Sequence, residues 1–318
     1  MPLDVMNHYF SCLRGRFGPQ KFTGSVIKKH VLSPFITYCD AHISSEFKDL
    51  EPPFVRLLAS LGQNHEKKIV QERFSNAIKC PYLEGKEAFL LALKLMAKKV
   101  QVLSGFPFYF VRDQFMGYLD LIRLNEAHAS IFGEYYYEVI EIKAAKRINL
   151  EHILQAAYYN LLIGKVQQYI PPTFYLINGE GEEKEYNYVS YESQLEEVLN
   201  EVQQIWRGHF IPPAIYSDSL RDYPWQSYEN RLALDKQDVS LIPGVSTSLR
   251  QRLNETGYTS ISQMACSNET DLQRIKGIKS KAKKLLARAQ ALTMNKIILI
   301  DPPTSLTVSY THLTLPTN

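Results

Sequence analysis

Cysteine is scarce in this sequence and never clustered. Cys12, Cys39, Cys80 and Cys266 form no C-x-x-C pair, which excludes a zinc ribbon and a disulfide scaffold and predicts reduced thiols in the cytoplasm. Long apolar runs are missing too. No stretch approaches the roughly 20 residues that span a bilayer, and the N-terminal MPLDVMNHYFSCLRGRFG lacks the continuous apolar core of a secretory leader. The expectation is a soluble, intracellular chain with no membrane partner. No G-x-x-x-x-G-K-[ST] loop is present, so the chain carries no nucleotide-driven motor of its own. A large excess of one charge is also absent. The formal net charge is +3, too little to prove a nucleic-acid partner, so the distribution of charge matters more than its sum.

What is there suffices for one substantial core and a smaller second domain: 318 residues, 45% hydrophobic and 22% charged. Apolar residues recur at helical spacing over 54–78 and over 86–100 (KEAFLLALKLMAKKV). Two runs rich in aromatic and β-branched residues follow, Phe106 to Ile122, broken near Arg112 to Gln114, and Tyr135 to Lys143. Both read as strands. Glu151 to Leu162 reads as a helix with Asn149 as its N-cap. Beyond Pro171 and Pro172, FYLIN and YNYVSY read as paired strands around the polar segment Gly179 to Glu185, and Ser193 to Trp206 reads as a further helix. The pattern predicts an α/β fold. Residues 208–237 carry prolines and aromatics without clear period and are expected to connect with little regular structure, placing a domain boundary near 236. NKIILID has the look of a strand opening another domain, whereas the closing SYTHLTLPTN resembles a translated cloning artefact. Residues 295–318 are therefore read as a tail, a truncated next domain with a non-native end.

In YYYEVIEIKAAK, alternate side chains of a strand share a face, so Glu141 and Lys143 project together while Ile140 and Ile142 project to the other side. Asp120, in MGYLDLIRL, belongs to the other strand. If the two strands pair, its carboxylate meets that of Glu141, and two carboxylates held close repel unless a divalent cation lies between them. Such a cation can bridge a scissile phosphate and acidify a bound water, while a neighbouring lysine orients that water or stabilises charge on the phosphate oxygens. An E-x-K tripeptide by itself reads far more readily as a solvated, charged strand face.

The order of motifs narrows the choice. G-x-x-D over Gly117 to Asp120, E-x-K over Glu141 to Lys143 and Q-x-x-x-Y over Gln155 to Tyr159 together resemble the RecB-like branch of the PD-(D/E)XK nucleases. His65, in LGQNHEKK, stands where that family carries a helical histidine, so the resemblance spans roughly residues 30 to 175. It implies a restriction-endonuclease-like core over 1–235, a mixed sheet flanked by helices. It implies Mg²⁺ or Mn²⁺ held by Asp120, Glu141, the Ile142 carbonyl and His65, with Lys143 as the catalytic lysine. Gln155 and Tyr159, one helical turn apart, would position DNA or the attacking water. Leu119 occupies the place of the name-giving proline. Some relatives fasten an iron–sulfur cluster with four cysteines. Residues 208–232 contain none, which would leave Cys39 alone, so no cluster is expected.

LIPGVSTSLRQRLNETGYTSISQMA and LQRIKGIKSKAKKLLARAQAL each run from an apolar residue through a glycine-centred turn into an amphipathic helix. They resemble paired helix-hairpin-helix motifs in a small all-α domain over 236–294. In that family the turn lets backbone amides approach phosphate without reading bases. Gly244 and Gly277 fill the first glycine position, while Ser246 and Lys279 stand at the second. Arg274, Lys276, Lys279, Lys281, Lys283, Lys284 and Arg288 make a dense basic run, whereas Glu180 to Glu201 is strongly acidic. The function expected is metal-dependent hydrolysis of DNA in repair, recombination or degradation of foreign DNA, with a helicase or a further nuclease domain as companion. The rival reading is a catalytically silent nucleic-acid-binding or scaffold protein of the same fold.

Overall fold

The computed structural model describes residues 3–81 and 85–298. They divide into two compact units, one running to Pro213 with Ser219–Ser227 and the other of Ala214–Asp218 with the described residues from Tyr228 onward.

In the first unit, helices α1 (Leu3–Cys12), α2 (Gly24–Leu32), α3 (Pro34–His42) and α4 (Pro53–Arg73) precede β1 (Ile78–Lys79) and α5 (Gly85–Met96). There follow β2 (Val102–Phe110), β3 (Phe115–Asn125), β4 (Tyr136–Ile142), α6 (Leu150–Gln167), β5 (Thr173–Ile177), β6 (Glu183–Asn187) and α7 (Val189–Trp206). The six strands form one mixed sheet in chain order, parallel at β1–β2 and β4–β5 and antiparallel elsewhere. The fold is α/β, as the alternation of elements predicts. A parallel pair cannot be closed by a tight turn, so α6 makes the crossover from β4 to β5. It lies between the sheet and the pair α2 and α7, and is buried on nearly every side. Two polar side chains pin it there. The Gln167 amide satisfies Tyr137 N–H (2.8 Å) and carbonyl (3.0 Å), and the Tyr158 hydroxyl donates to the Phe22 carbonyl at 2.6 Å. On the other sheet face, Ile69 and Val70 of α4 pack on Leu121, Ile140, Ile142 and Ile177.

Three segments depart from the periodicity. The helix expected over 54–78 ends at Arg73, because Phe74 turns into the core and Ile78–Lys79 pair with β2 instead. YNYVSY is a strand only as far as Asn187, whose side chain accepts from Val189 N–H at 3.0 Å and turns the chain into α7. Residues 208–237 are not featureless: they contain α8 (Gln226–Asp235). Its inward residues are Glu229 and Ala233, so a buried carboxylate interrupts the apolar period that would have announced it.

The second unit takes in most of α8, so the division falls ahead of residue 236. It continues with α9 (Thr247–Glu255), α10 (Ile261–Ala265), α11 (Glu269–Gln273) and α12 (Ala282–Met294), around a core that includes Ile242, Leu253, Met264, Leu272 and Leu285. Arg250 grips buried Asp238 through two hydrogen bonds of 2.8 and 2.6 Å. The expected strand at NKIILID is not formed over 295–298, and the rest of that segment lies outside the described residues. Among the described residues, no helix is long and apolar enough to cross a membrane.

Candidate active site

The β3–β4 ladder stops at the pair Leu121↔Ile140. One step beyond it, the side chain of Asp120 takes the next amide, with Ile142 N–H donating to its Oδ2 at 2.8 Å. The strands part here and a cleft opens. Across β3 lies Gly105, between the pairs Ser104↔Leu121 and Phe106↔Leu119, with φ +72°. Leu103 and Ile122 on one side of this level, and Phe106 and Leu119 on the other, enter the same core. Strict alternation would separate them. Glycine adopts that backbone most readily, and there it resets the side-chain phase beside Asp120.

Asp120, Glu141, Ile142 and Lys143 line one cavity of about 790 Å³. The other walls come from Gln155, Tyr159 and His152 on α6, Lys28 on α2, and Glu66, Leu58 and Val55 on α4. Lys143 donates to Glu141 Oε1 at 2.6 Å. The second oxygen, Oε2, is buried with no hydrogen-bond partner among the described residues. Burial, and then the neighbouring Asp120, push the Glu141 carboxyl well above its usual range, and Lys143 opposes this only in part. Burial also raises Asp120, against the pull of Lys143 and the Ile142 amide. Burial works against the charge of Lys143, but Glu141 and Asp120 outweigh it and raise its pKa.

The motif residues explain one another in space. A Cβ on Gly117 would lie 2.6 Å from Cε1 of Tyr159, and one on Gly24 would collide with the same ring, so the glycine of G-x-x-D is the notch that seats the tyrosine of Q-x-x-x-Y. Gln155 Nε2 lies 3.4 Å from the Tyr159 hydroxyl, and Gln155 Oε1 is buried without a partner among the described residues.

His65 is placed differently from the expectation. Its Nε2 lies 3.2 Å from the Asn178 carbonyl, and the ionisable α4 residue that lines the cavity is its neighbour, Glu66. Consecutive helical side chains point about 100° apart, so a one-residue difference in facing decides which reaches the site. Burial, then the charge on Asp120, push Glu66 up to about 6. Sequence reasoning missed Glu66, Lys28 and His152. Burial and the nearby Lys143 lower Lys28. Burial, then Lys28, bring His152 down to about 4, and its Nδ1 accepts from Asn149 N–H at 3.3 Å, which requires the neutral ring. Only the adjacency of Glu66 to His65 could have signalled any of the three.

Two carboxylates, one of them with an orphaned buried oxygen, fit a divalent cation. Among the described residues no group of three or more His, Cys, Asp or Glu side chains is arranged to hold a metal.

In the second unit Gly244 and Gly277 take φ +93° and +88°, which explains glycine at both turns. Each turn is covered by an arginine. A Cβ on Gly244 would lie 2.7 Å from Arg288 Nη1, and one on Gly277 would lie 3.0 Å from Arg252 Nη2. Arg288 also donates to the Pro243 carbonyl at 2.5 Å. Ser246, at the second glycine position, caps α9 by accepting from Leu249 N–H at 3.3 Å. Lys279, Lys283 and Lys284 are exposed.

No protein-family model matches this chain, and no curated protein matches it in sequence.

Proposed function

We propose that this chain is a divalent-metal-dependent DNA nuclease with a RecB-like PD-(D/E)XK core, its second unit serving as a helix-hairpin-helix module that holds DNA without reading sequence. The observation that carries this reading is the meeting of Asp120, Glu141 and Lys143 in one cavity, with a buried Glu141 oxygen that no group among the described residues satisfies. Mg²⁺ or Mn²⁺ on Asp120 and Glu141 would supply Lewis acidity to the scissile phosphate and to the attacking water. Lys143, held against Glu141, presents its ammonium beside that position and stabilises charge on the phosphate oxygens. Tyr159 and Gln155 form a fixed polar wall for the strand, seated by Gly117. Lys28 adds a second positive charge at the cavity.

One observation favours a structural role for the hairpins: Arg288 and Arg252 cover the glycine turns. Phosphate contact would then come from the exposed lysines of α12 and the turn before it. A digestion assay with Mg²⁺ and with Mn²⁺ on single-stranded, duplex and flapped DNA tests the central claim. The wild-type protein is expected to cut, and Lys143→Ala to lose turnover by orders of magnitude with little loss of DNA affinity. Failure to cut any of these substrates with either metal would leave the silent scaffold as the better reading.

A further inference from the structure

A second cavity, of about 700 Å³, opens in the first unit and shares no lining residue with the carboxylate site. Three segments build it: the link between α1 and α2, the turn between β2 and β3, and the end of α7. Each contributes one arginine, Arg16, Arg112 and Arg207 respectively. Among the described residues none of the three guanidiniums has a carboxylate partner. The one acid in the lining, Asp113, is taken by Lys165 at 2.7 Å. Three like charges around one cavity repel one another, an arrangement that an anion relieves.

The floor is aromatic. Trp206 packs on Phe22 with ring centroids 4.7 Å apart, Phe22 meets Phe115 edge-on, and all three line the cavity. The wall is rigid at one point in particular: the Gln114 side chain accepts from Gly18 N–H at 2.6 Å and donates to the Arg16 carbonyl at 3.1 Å. That stitches the loop bearing Arg16 to the turn bearing Arg112. Two other amides in the lining, Gln20 and Gln203, make no side-chain hydrogen bond among the described residues.

We propose that this cavity binds a nucleoside phosphate, its base against Trp206 and its phosphate among Arg16, Arg112 and Arg207. Guanidiniums suit phosphate through paired N–H donors, bases stack on aromatic rings whatever their identity, and free amides match the edge of a base. Inorganic phosphate would fill only a small part of such a volume, which lies in the range of small-molecule pockets. The nucleoside phosphate has two sources, a free nucleotide or one nucleotide of a nucleic-acid strand. The proposal stands without the nuclease reading, because no residue of the carboxylate site takes part.

Isothermal titration calorimetry in EDTA tests it, with dAMP, deoxyadenosine, inorganic phosphate and a short single strand as titrants. Saturable binding of dAMP, with deoxyadenosine and phosphate each about tenfold weaker or more, assigns a free nucleotide. A strand that binds while dAMP does not assigns the strand. In either case Arg112→Ala with Arg207→Ala, both exposed, should weaken binding about tenfold or more, Trp206→Leu should weaken it too, and Lys94→Ala, at an exposed lysine that lines neither cavity, should leave it unchanged. Thermal melts confirm that each variant is folded, and Trp206→Phe, which keeps a ring, replaces Trp206→Leu if the latter is not. Binding equal in wild type and the arginine variant overturns the proposal, as does no binding at all. Loss in the arginine variant with Trp206→Leu unchanged overturns it as well, leaving bare attraction of anions.

Discussion

Asp120 and Glu141 are held in each other's field at the expense of stability. With both carboxyls raised by burial and the second also by its neighbour, the metal-free fold holds their protons more tightly than the unfolded chain does. That contribution is complete below their unfolded values and is lost as pH rises through the folded ones. Asp120→Asn keeps an oxygen for the Ile142 amide and removes one charge. Metal-free, it should melt roughly 2–4 °C above wild type at pH 8, with a smaller gain at pH 5. Calorimetry in EDTA reads both, and a lower melt at pH 8 would mark Asp120 as a structural acceptor. In the same variant cleavage should fall on the order of a thousandfold while DNA affinity holds or tightens. His30 behaves in the opposite sense. Burial lowers it to about 4 from 6.5, with Nδ1 3.2 Å from Thr37 Oγ1. The unfolded chain takes up that proton first, so the stability it contributes is complete above about 6.5 and is lost as pH falls toward 4. His30→Gln should flatten the decline in melting temperature over that interval, and an unchanged slope would assign the decline to other groups.

At the scale of elements, the site depends on how closely α6 approaches β3. Gly117 permits the approach, since a methyl group there meets the Tyr159 ring at 2.6 Å. Gly117→Ala should cost about 1–3 kcal/mol by overpacking and lower turnover by displacing Tyr159. Adding Tyr159→Ala should recover part of the stability but not the activity, which denaturant melts and the cleavage assay would separate. If the two losses of stability simply add, the contact is not the cause. In the second unit, Arg250→Ala leaves Asp238 buried without its cation and should destabilise that unit by about 3–5 kcal/mol. Melting followed at Tyr258 in that unit should register it, and a shift below 1 kcal/mol would mean that water reaches the carboxylate.

For the whole molecule, the division between units decides what can be removed. Ile215 N–H donates to Glu229 Oε1 at 3.0 Å and Ser217 N–H to Asn230 Oδ1 at 2.9 Å, so α8 belongs with residues 214–218 and the second unit. A cut at 236 would strand that helix, whereas one after Ser227 spares the sheet. The shorter chain should keep the circular dichroism of an α/β fold and its metal-dependent cleavage. It should bind DNA more weakly, with the salt slope reduced by about one unit per lost phosphate contact. Unchanged affinity and slope would fit hairpins that serve structure alone, with Arg252 and Arg288 filling their turns.

The strands carrying Asp120 and Glu141, the shared face of Glu141 and Lys143, the helix that carries Gln155 and Tyr159, and the turns at Gly244 and Gly277 were all legible in the order of residues. Each follows from a local rule, the strand period of two, the helix turn or the freedom of glycine, and the motif order added the grouping. Tertiary structure decided that Glu66 and not His65 reaches the cavity, that α8 is a helix whose inner face holds a carboxylate, and that three arginines from distant segments share one pocket. Those facts depend on how far an element is rotated when it packs and on which loops meet, and neither quantity is written in a local period.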